Sequence, residues 1–490
     1  PDIKDDIDIT FMVTVTDDDG ATATASKKIT IKRKVSSVTI TGIVTDEPIP
    51  NADVFISVGS VEHQTKANEQ GEYSSLLSVD DSDKSRLVNI RAVGPSGTEN
   101  ENVEFVSQLN SVETLVEQAG DDGELTKEDN FAVNVTNVST AEYVLIQKSE
   151  TPIETDAQLQ SALTGVDAEE KLELASLIKI AVDKDVELPE GVESTLDLIS
   201  NEQTAEEFKK TALEKDANII EDTKEEIKDD TDLVNGLTGK LVGNYIINSP
   251  VDYSNGAYHL ELKADGKAVI AAKNTIETTW QQDESGAVVL AVTQDNPLIL
   301  ASGIHLDTET GAAVELKESV FDISFTIVAQ NSIFKTIELT QTLSQQSVDQ
   351  STTKVSKSVT NLFDKQQTIS IESADVIGQW SLQTFSKQQA KANVNQLKFN
   401  DDNSVTSSEF KNARWQLLGN TLQINYETAN GTADSLQLWL TKQYSDAYQF
   451  ISLKGNAESS EFVEQGLFIK HDDTELTDAS IKASSTSLPI

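Results

Sequence analysis

The chain of 490 residues contains no cysteine, one methionine and nine prolines, and only 6% of it is aromatic. Without cysteine there are no disulfides, thiolate metal centres, cysteine-ligated iron–sulfur clusters or cysteine nucleophiles. Small secreted domains usually lean on disulfides, so any such modules here must hold by packing or by bound ions. Cations are scarce too: 38 Lys and Arg face 82 Asp and Glu, for a net charge of −44. Charged residues are only 24% of the chain, so the imbalance is a shortage of Lys and Arg rather than a surfeit of charge. A chain without a basic face lacks the phosphate contacts that nucleic acid requires, and an anionic membrane surface repels it. The favoured partners are divalent cations, Ca²⁺ foremost, or a saline medium; solubility alone is the competing explanation. No apolar run approaches the ~18 residues of a transmembrane helix, and no secretory leader is visible. The chain starts at Pro1 and its first strand follows almost at once, so the expectation is that sequence precedes it and that the opening module is incomplete.

What is present is mostly period-two alternation. At roughly 100–200 residues per domain the length predicts about three to five domains. Ile9–Thr16, the turn Asp17-Asp18-Asp19-Gly20 and Ala21–Ile31 predict a hairpin, with Lys32-Arg33-Lys34 as a basic linker. This stretch resembles the last two strands of PKD-like and related immunoglobulin-like domains of bacterial surface proteins. From residue 37 to about 110 the alternation resumes. Gly42, Val44, Pro48, Asn51, Ala52, Val54, Thr65, Ala67, Gly71 and Tyr73 carry a pattern similar to the carboxypeptidase-regulatory-like family. That resemblance implies a transthyretin-like seven-stranded sandwich acting as a structural appendage without catalysis.

Residues 115–154 read as a β bridge, with Phe131–Ser139 alternating like a strand. Residues 155–236 change period: Leu174, Leu177, Ile178, Ala181 and Val182 fall on one helical face. Asp167 with Glu170 and Thr204 with Glu207 suggest capped starts, Pro189 and Gly191 a break, and Asn218–Val234 a third helix. This predicted helical insertion holds 23 acidic and 8 basic residues, a net charge of −15.

Residues 237–490 contain an internal repeat. Gly243-Asn-Tyr245, Leu260–Leu262, Asp265-Gly266, Trp280 and Gly286 recur in order as Gly378-Gln-Trp380, Leu397–Phe399, Asp402-Asn403, Trp415 and Gly419. The copies, bounded as 237–372 and 373–490, resemble bacterial lipocalin-like families, whose first strand carries Gly-x-Trp. Each is expected to form a small antiparallel barrel or half-barrel of up-and-down strands. Ser344–Asp364, between them, reads as a loop or long hairpin tip. The predicted class is therefore mainly β and multidomain: a partial β module at 1–34, a sandwich at 37–114, the bridge at 115–154, the acidic helical domain at 155–236, and two repeated barrels.

Candidate sites are few. His63, His259, His305 and His471 are far apart, and His259-x-Glu261 and His305-x-Asp307 each set two ligand types on one strand face. Zinc needs three or four protein ligands, so exposed polar strand residues are the simpler reading. Acidic turns recur, and Ca²⁺ needs six to eight oxygens from such loops. Asp17 and Asp19, then Asp81 and Asp83, are the candidate Ca²⁺ ligands; the alternative is that Asp, Asn and Gly simply make turns. Trp439, Tyr444 and Tyr448 are candidate ligand-binding aromatics for a sugar ring or an apolar molecule, with core packing as the alternative. No nucleophile elbow, phosphate loop or dinucleotide fingerprint appears, so catalysis is not expected.

Together these features predict a non-catalytic extracellular structural or adhesive protein on the surface of a Gram-negative bacterium, associated with its outer membrane. It would assemble with itself or other surface proteins, for instance in a divalent-cation-dependent, S-layer-like array. The rival reading is a surface lipoprotein, or accessory region of a secreted hydrolase, that holds polysaccharide or a small lipophile in the repeated barrels.

Overall fold

Period-two alternation is realised as strands through most of the chain, and the stretch that changes period after residue 155 becomes helices. The computed structural model describes residues 7–32, 34–148, 152–184, 186–230, 241–248, 257–283, 285–306, 313–331, 334–347, 351–365, 371–386, 391–428, 431–443, 447–455 and 462–471. The fold is mainly β and multidomain, with sandwich sheets, an acidic helical insertion and two antiparallel barrels. The chain divides into two compact units. One holds Pro1–Tyr143, Glu154–Asp156 and Ala181–Thr204; the other holds Val144–Ile153, Ala157–Ile180 and Ala205–Ile490.

In the first unit Ile7–Thr16 pairs antiparallel with Thr22–Ile31. The turn closes as the Asp17 N–H donates to the Ala21 carbonyl at 2.9 Å. The register puts Ile7 opposite Ile31, Ile9 opposite Ile29, Phe11 opposite Lys27, Val13 opposite Ala25 and Val15 opposite Ala23. These share one face because side chains alternate along a strand. The other face carries Thr10, Thr14 and Thr24. Every residue of both strands is exposed, and they pair with no other described strand.

The sandwich follows. One sheet is built on Val35–Thr45, with Glu72–Asp80, Glu124–Leu125 and Val135–Thr136 paired to it. The other runs in the order Val61–Lys66, Asp53–Val58, Leu87–Val93, Glu104–Ser111. Ile40, Val54, Ile56, Leu77, Val88 and Ile90 are fully shielded between them. Gly42 is required by close approach: a Cβ there would lie 2.2 Å from the Val133 carbonyl oxygen. The buried Tyr73 hydroxyl donates to that same oxygen at 2.6 Å. The Gly42 and Tyr73 positions read from the sequence are thus one packing unit.

The expected bridge at 115–154 is different. Val112–Ala119 and Asn137–Gln147 are helices, and only the short strands at Glu124 and Val135 remain. The alternation at Phe131–Ser139 breaks because Thr136 and Ser139 cap the second helix reciprocally. The Thr136 N–H donates to Ser139 Oγ at 2.9 Å and the Ser139 N–H to Thr136 Oγ1 at 3.0 Å. Such local bonds satisfy the first amides of a helix and compete with strand pairing.

The helical segment, expected as a separate domain, is divided between the two units. Its helices are Asp156–Thr164, Ala168–Asp183, Thr195–Ser200, Glu202–Lys215 and Ile219–Asp229. Asp167 caps its helix, accepting from the Glu170 N–H at 2.8 Å. Thr204 does not cap: Asn201 does, accepting from the Gln203 N–H at 2.9 Å, while the Thr204 hydroxyl donates to the Leu198 carbonyl. In the first unit Asp156 accepts four bonds, from the Ser111 N–H, Ser111 Oγ, Thr114 Oγ1 and Asn110 Nδ2. In the second unit the buried Lys171 lies 4.7 Å above the Phe334 ring and donates to Thr336 Oγ1 at 2.7 Å. Each contact ties a helical residue to β structure within its own unit, so an independent helical core has no need to form.

The second unit contains both barrels. In the first, strands Gly243–Asn248, Ala257–Leu262, Lys267–Ala271, Thr275–Gln282 and Val288–Leu290 pair in order. The long strands Ala313–Gln330, Phe334–Ser347 and Ser351–Asp364 complete the wall, and Val288 pairs with Phe325 to close a ring of eight. Leu298–Leu306 pairs with the first half of the Ala313 strand. Ser344–Asp364, expected as a loop or hairpin tip, is mostly strand where described. The second barrel is an eight-stranded meander from Gly378–Ser386 to Phe462–His471, closed by pairing of those two strands.

Candidate functional site

The repeat read from the sequence has a common structural role in both barrels. In the first, the Trp280 indole N–H donates to the Lys263 carbonyl at 2.9 Å, and the Trp280 amide donates to the Gly266 carbonyl at 2.9 Å. In the second, the Trp415 indole donates to the Asn400 carbonyl at 3.1 Å and its amide to the Asn403 carbonyl at 2.9 Å. Gly266 and Asn403 occupy the same left-handed turn position, with φ +78° and +64°. Glycine and asparagine are the residues that tolerate it. Asp265 and Asp402 accept from the amide two residues on, at 3.1 and 2.9 Å. Lys267 holds the Asp265 carboxyl below its ordinary range, and the Ser404 hydroxyl does the same for Asp402. The acidic turn and the Trp are therefore a strand-turn lock.

The barrel interiors are filled with side chains. Trp380 stacks on Phe468 at 4.1 Å between ring centroids and donates its indole N–H to the Val376 carbonyl at 2.8 Å. Phe399, Trp415 and Leu438 belong to the same core. In the first barrel Tyr245, Tyr258 and Phe325 play that part. Burial, then Asp364, pushes the Tyr245 phenol up to about 12.

The candidate aromatics do not form one face. Tyr448 packs into the core of the second barrel, 6.2 Å from Trp380. Trp439 alternates with Leu438 and Leu440, which line that core, so it lies on the outer wall. It is nevertheless only 3% exposed. Tyr444 lies outside the described residues.

What covers the Trp439 wall belongs to the second unit as well. Lys365, directly after the last strand of the first barrel, holds its ammonium 3.9 Å from the centre of the Trp439 ring, a close cation–π contact. On the first barrel, His259 alternates with the inward Tyr258 and Leu260 and lies on the outer wall. His259 is buried, and neither ring nitrogen has a hydrogen-bond partner among the described residues. Burial, then the Lys365 charge, lowers its pKa to about 3, so the ring is neutral. Strands Ala257–Leu262 and Phe462–His471 of the two barrels lie against each other. The expectation that His259 is an exposed polar strand residue is thereby corrected: a second sheet layer covers it. Half-buried Glu261, two residues on, pairs with Lys263 at 3.4 Å. Alternation within one strand reveals inside from outside, but not which outer wall a neighbouring barrel will cover.

The candidate Ca²⁺ ligands are engaged in turns and ion pairs. Asp17 accepts from the Asp19 and Ala21 amides at 3.2 and 2.8 Å. Asp81 binds Lys34 at 2.9 Å and Ser36 Oγ at 3.1 Å, and the Lys34 ammonium holds its carboxyl below the usual range. Asp83 binds Arg86 Nε at 2.7 Å. Asp19 stays on the exposed turn beside Asp17. Among the described residues no three Asp, Glu or His side chains converge as a metal-ligating group. His471 shares a 2.9 Å bond with Ser381 Oγ.

No protein family and no curated protein matches the chain. Among solved structures, one described as "Ca2+-stabilized adhesin helps an Antarctic bacterium reach out and bind ice" is 9% identical, over 88% of this chain and 98% of that one, with a TM-score of 0.11. Similarity at that level shows no shared fold and carries no weight for function. No described helix is long and apolar enough to cross a membrane.

Proposed function

We propose that the chain is a non-catalytic extracellular protein, structural or adhesive in role, on the surface of a Gram-negative bacterium, where divalent cations help it assemble beside the outer membrane. On this reading the sandwich from Val35 is a carboxypeptidase-regulatory-like spacer, and the two barrels are lipocalin-like modules set in tandem. The observation that supports it most is how the chemistry-bearing residues are used. Gly42 with Tyr73, and the two Trp-locked turns, serve packing, and the candidate aromatic Tyr448 is half-buried against a barrel core. Modules built this way suit spacing and tiling, and a net charge of −44 recruits cations from the medium.

The test is made on cells and on purified protein. The protein is expected in the surface fraction and to be released by a chelator. Purified protein is expected to melt higher in millimolar Ca²⁺ and to assemble into sheets or fibres visible by electron microscopy. An intracellular protein, or one whose melting and assembly ignore both Ca²⁺ and chelator, would sink the reading.

A further inference from the structure

Polar side chains buried in a protein are hydrogen-bonded, and one left without a partner calls for a reason. His259 is such a group. It is 9% exposed, and neither ring nitrogen has a hydrogen-bond partner among the described residues. It takes no part in a barrel interior, since Tyr258 and Leu260 on either side of it point there. Within its own sheet Ile246 and Ala271 stand opposite it. Glu261, at the next outer position, is paired with Lys263, and Lys267 on the neighbouring strand is paired with Asp265. The strand Phe462–His471 of the second barrel lies against that of His259. Its outer positions near the end are Ile469 and His471, while Lys470 turns over the Trp380 ring. Asp364 acts on Tyr245. The described charge that acts on His259 is Lys365, a cation.

A proton on the covered ring would thus sit without water beside an ammonium, and both effects disfavour it. Two routes hydrate the ring. Unfolding the first barrel breaks a ring of ladder bonds and empties a filled interior. Parting the two outer walls breaks no ladder bond, because no strand of one barrel pairs with a described strand of the other. Local openings of this kind lie below global unfolding in free energy. We infer that the joint between the barrels is an acid-operated hinge: protonation of His259 parts the outer walls and leaves both barrels closed. Lys365 joins the two halves of this device. Its ammonium acts on His259 and rests 3.9 Å from the centre of the Trp439 ring, so the walls that bury the imidazole and the indole separate together. With the walls parted the imidazole takes its proton near the ordinary value of about 6.5. With the walls closed it does so only at about 3. Between these limits each pH unit favours the parted state by up to about tenfold. The joint is shut at neutral pH and loosens in acid. The inference rests on the joint and is independent of the surface role proposed above.

Tryptophan emission of the full chain, titrated from about pH 7 to about pH 4.5, follows the joint in a range where histidine is the side chain that titrates. Trp280 and Trp415 are held in the turn locks and Trp380 in its stack, which leaves Trp439 as the reporter. The wild type is expected to red-shift with acid as Trp439 meets water, the parted population rising by up to about a hundredfold over two pH units. Ladder amides of both barrels are expected to keep their protection from hydrogen exchange throughout. Trp439→Phe is expected to abolish the shift, and His259→Phe to remove its dependence on pH. Should His259→Phe fail to fold, His259→Gln serves: it also has no proton to take up, so its emission is expected to ignore pH. A wild-type emission that does not move overturns the inference. So does a shift that persists in Trp439→Phe or in either His259 variant. Loss of ladder protection in the first barrel alongside the shift overturns it too, since the barrel and not the joint would then be opening.

Discussion

The hairpin Ile7–Ile31 and the barrel Gly378–His471 are written in the same alternation, but the barrel encloses its apolar face and the hairpin displays it. The difference lies in strand number. Eight strands twist and tilt until the last meets the first, which removes both edges and turns one face inward. Two strands have no such option, so an identical pattern leaves Phe11 in water while Phe468 stacks on Trp380. The first barrel makes the same point in a less regular way: its ring closes through the three-residue strand Val288–Leu290, with Leu298–Leu306 added alongside. Alternation specifies a half-buried strand; closure decides what buries it.

The contrast can be broken by paired truncations. Trp380→Ala should cost the second barrel about 3–5 kcal/mol, because it removes a stacked, hydrogen-bonded ring from a filled interior. Phe11→Ala should leave that same transition within about 0.5 kcal/mol. Hydrogen exchange of the Gly378–His471 strands measures both. A small loss at Trp380 would mean that closure does not bring close packing.

Acid sharpens the comparison, because a covered outer wall behaves as an interior. His259 is held neutral, its pKa near 3 when folded against about 6.5 when unfolded. Its contribution is intact above pH 6.5 and lost as the pH falls from there toward 3, since the unfolded chain takes up the proton first. The full loss is on the order of 5 kcal/mol. Melting of the wild type should therefore fall through this window, and His259→Phe should flatten that part of the profile. An unchanged profile in the variant would show that His259 is wet.

The smallest expected effect compares the two Trp-locked turns. Gly266→Ala places a Cβ at φ +78° and should cost about 1–2 kcal/mol, whereas Asn403→Gly should stay within about 0.5 kcal/mol. Urea titrations decide it. Equal costs would mean that the repeats differ in structure despite their matching bonds.

Much of the fold was legible because its cues are local. The turn at Asp17, the order of the repeat from Gly243 to Gly419, and the cap at Asp167 all follow from residues within a few positions of one another. The failures share the opposite character. Phe131–Ser139 alternates, yet Thr136 and Ser139 divert it into a helix start. Thr204 looked like a cap, but Asn201 was better placed. The helical stretch read as a domain, yet Asp156 is held by Ser111 and Thr114, and Lys171 by Phe334 and Thr336. Trp439 looked like a binding aromatic, and only the arrival of Lys365 shows that its wall is covered.

By itself, then, the sequence determined the mainly β class, the strand faces, the tandem repeat and the cation-poor surface, because periodicity, turn chemistry and charge are properties of neighbouring residues. Tertiary structure alone decided which apolar faces are closed into barrels, which outer wall buries a neutral histidine, and which hairpin is left with an open face. Those outcomes depend on strands and side chains tens to hundreds of residues apart, whose meeting no local pattern encodes.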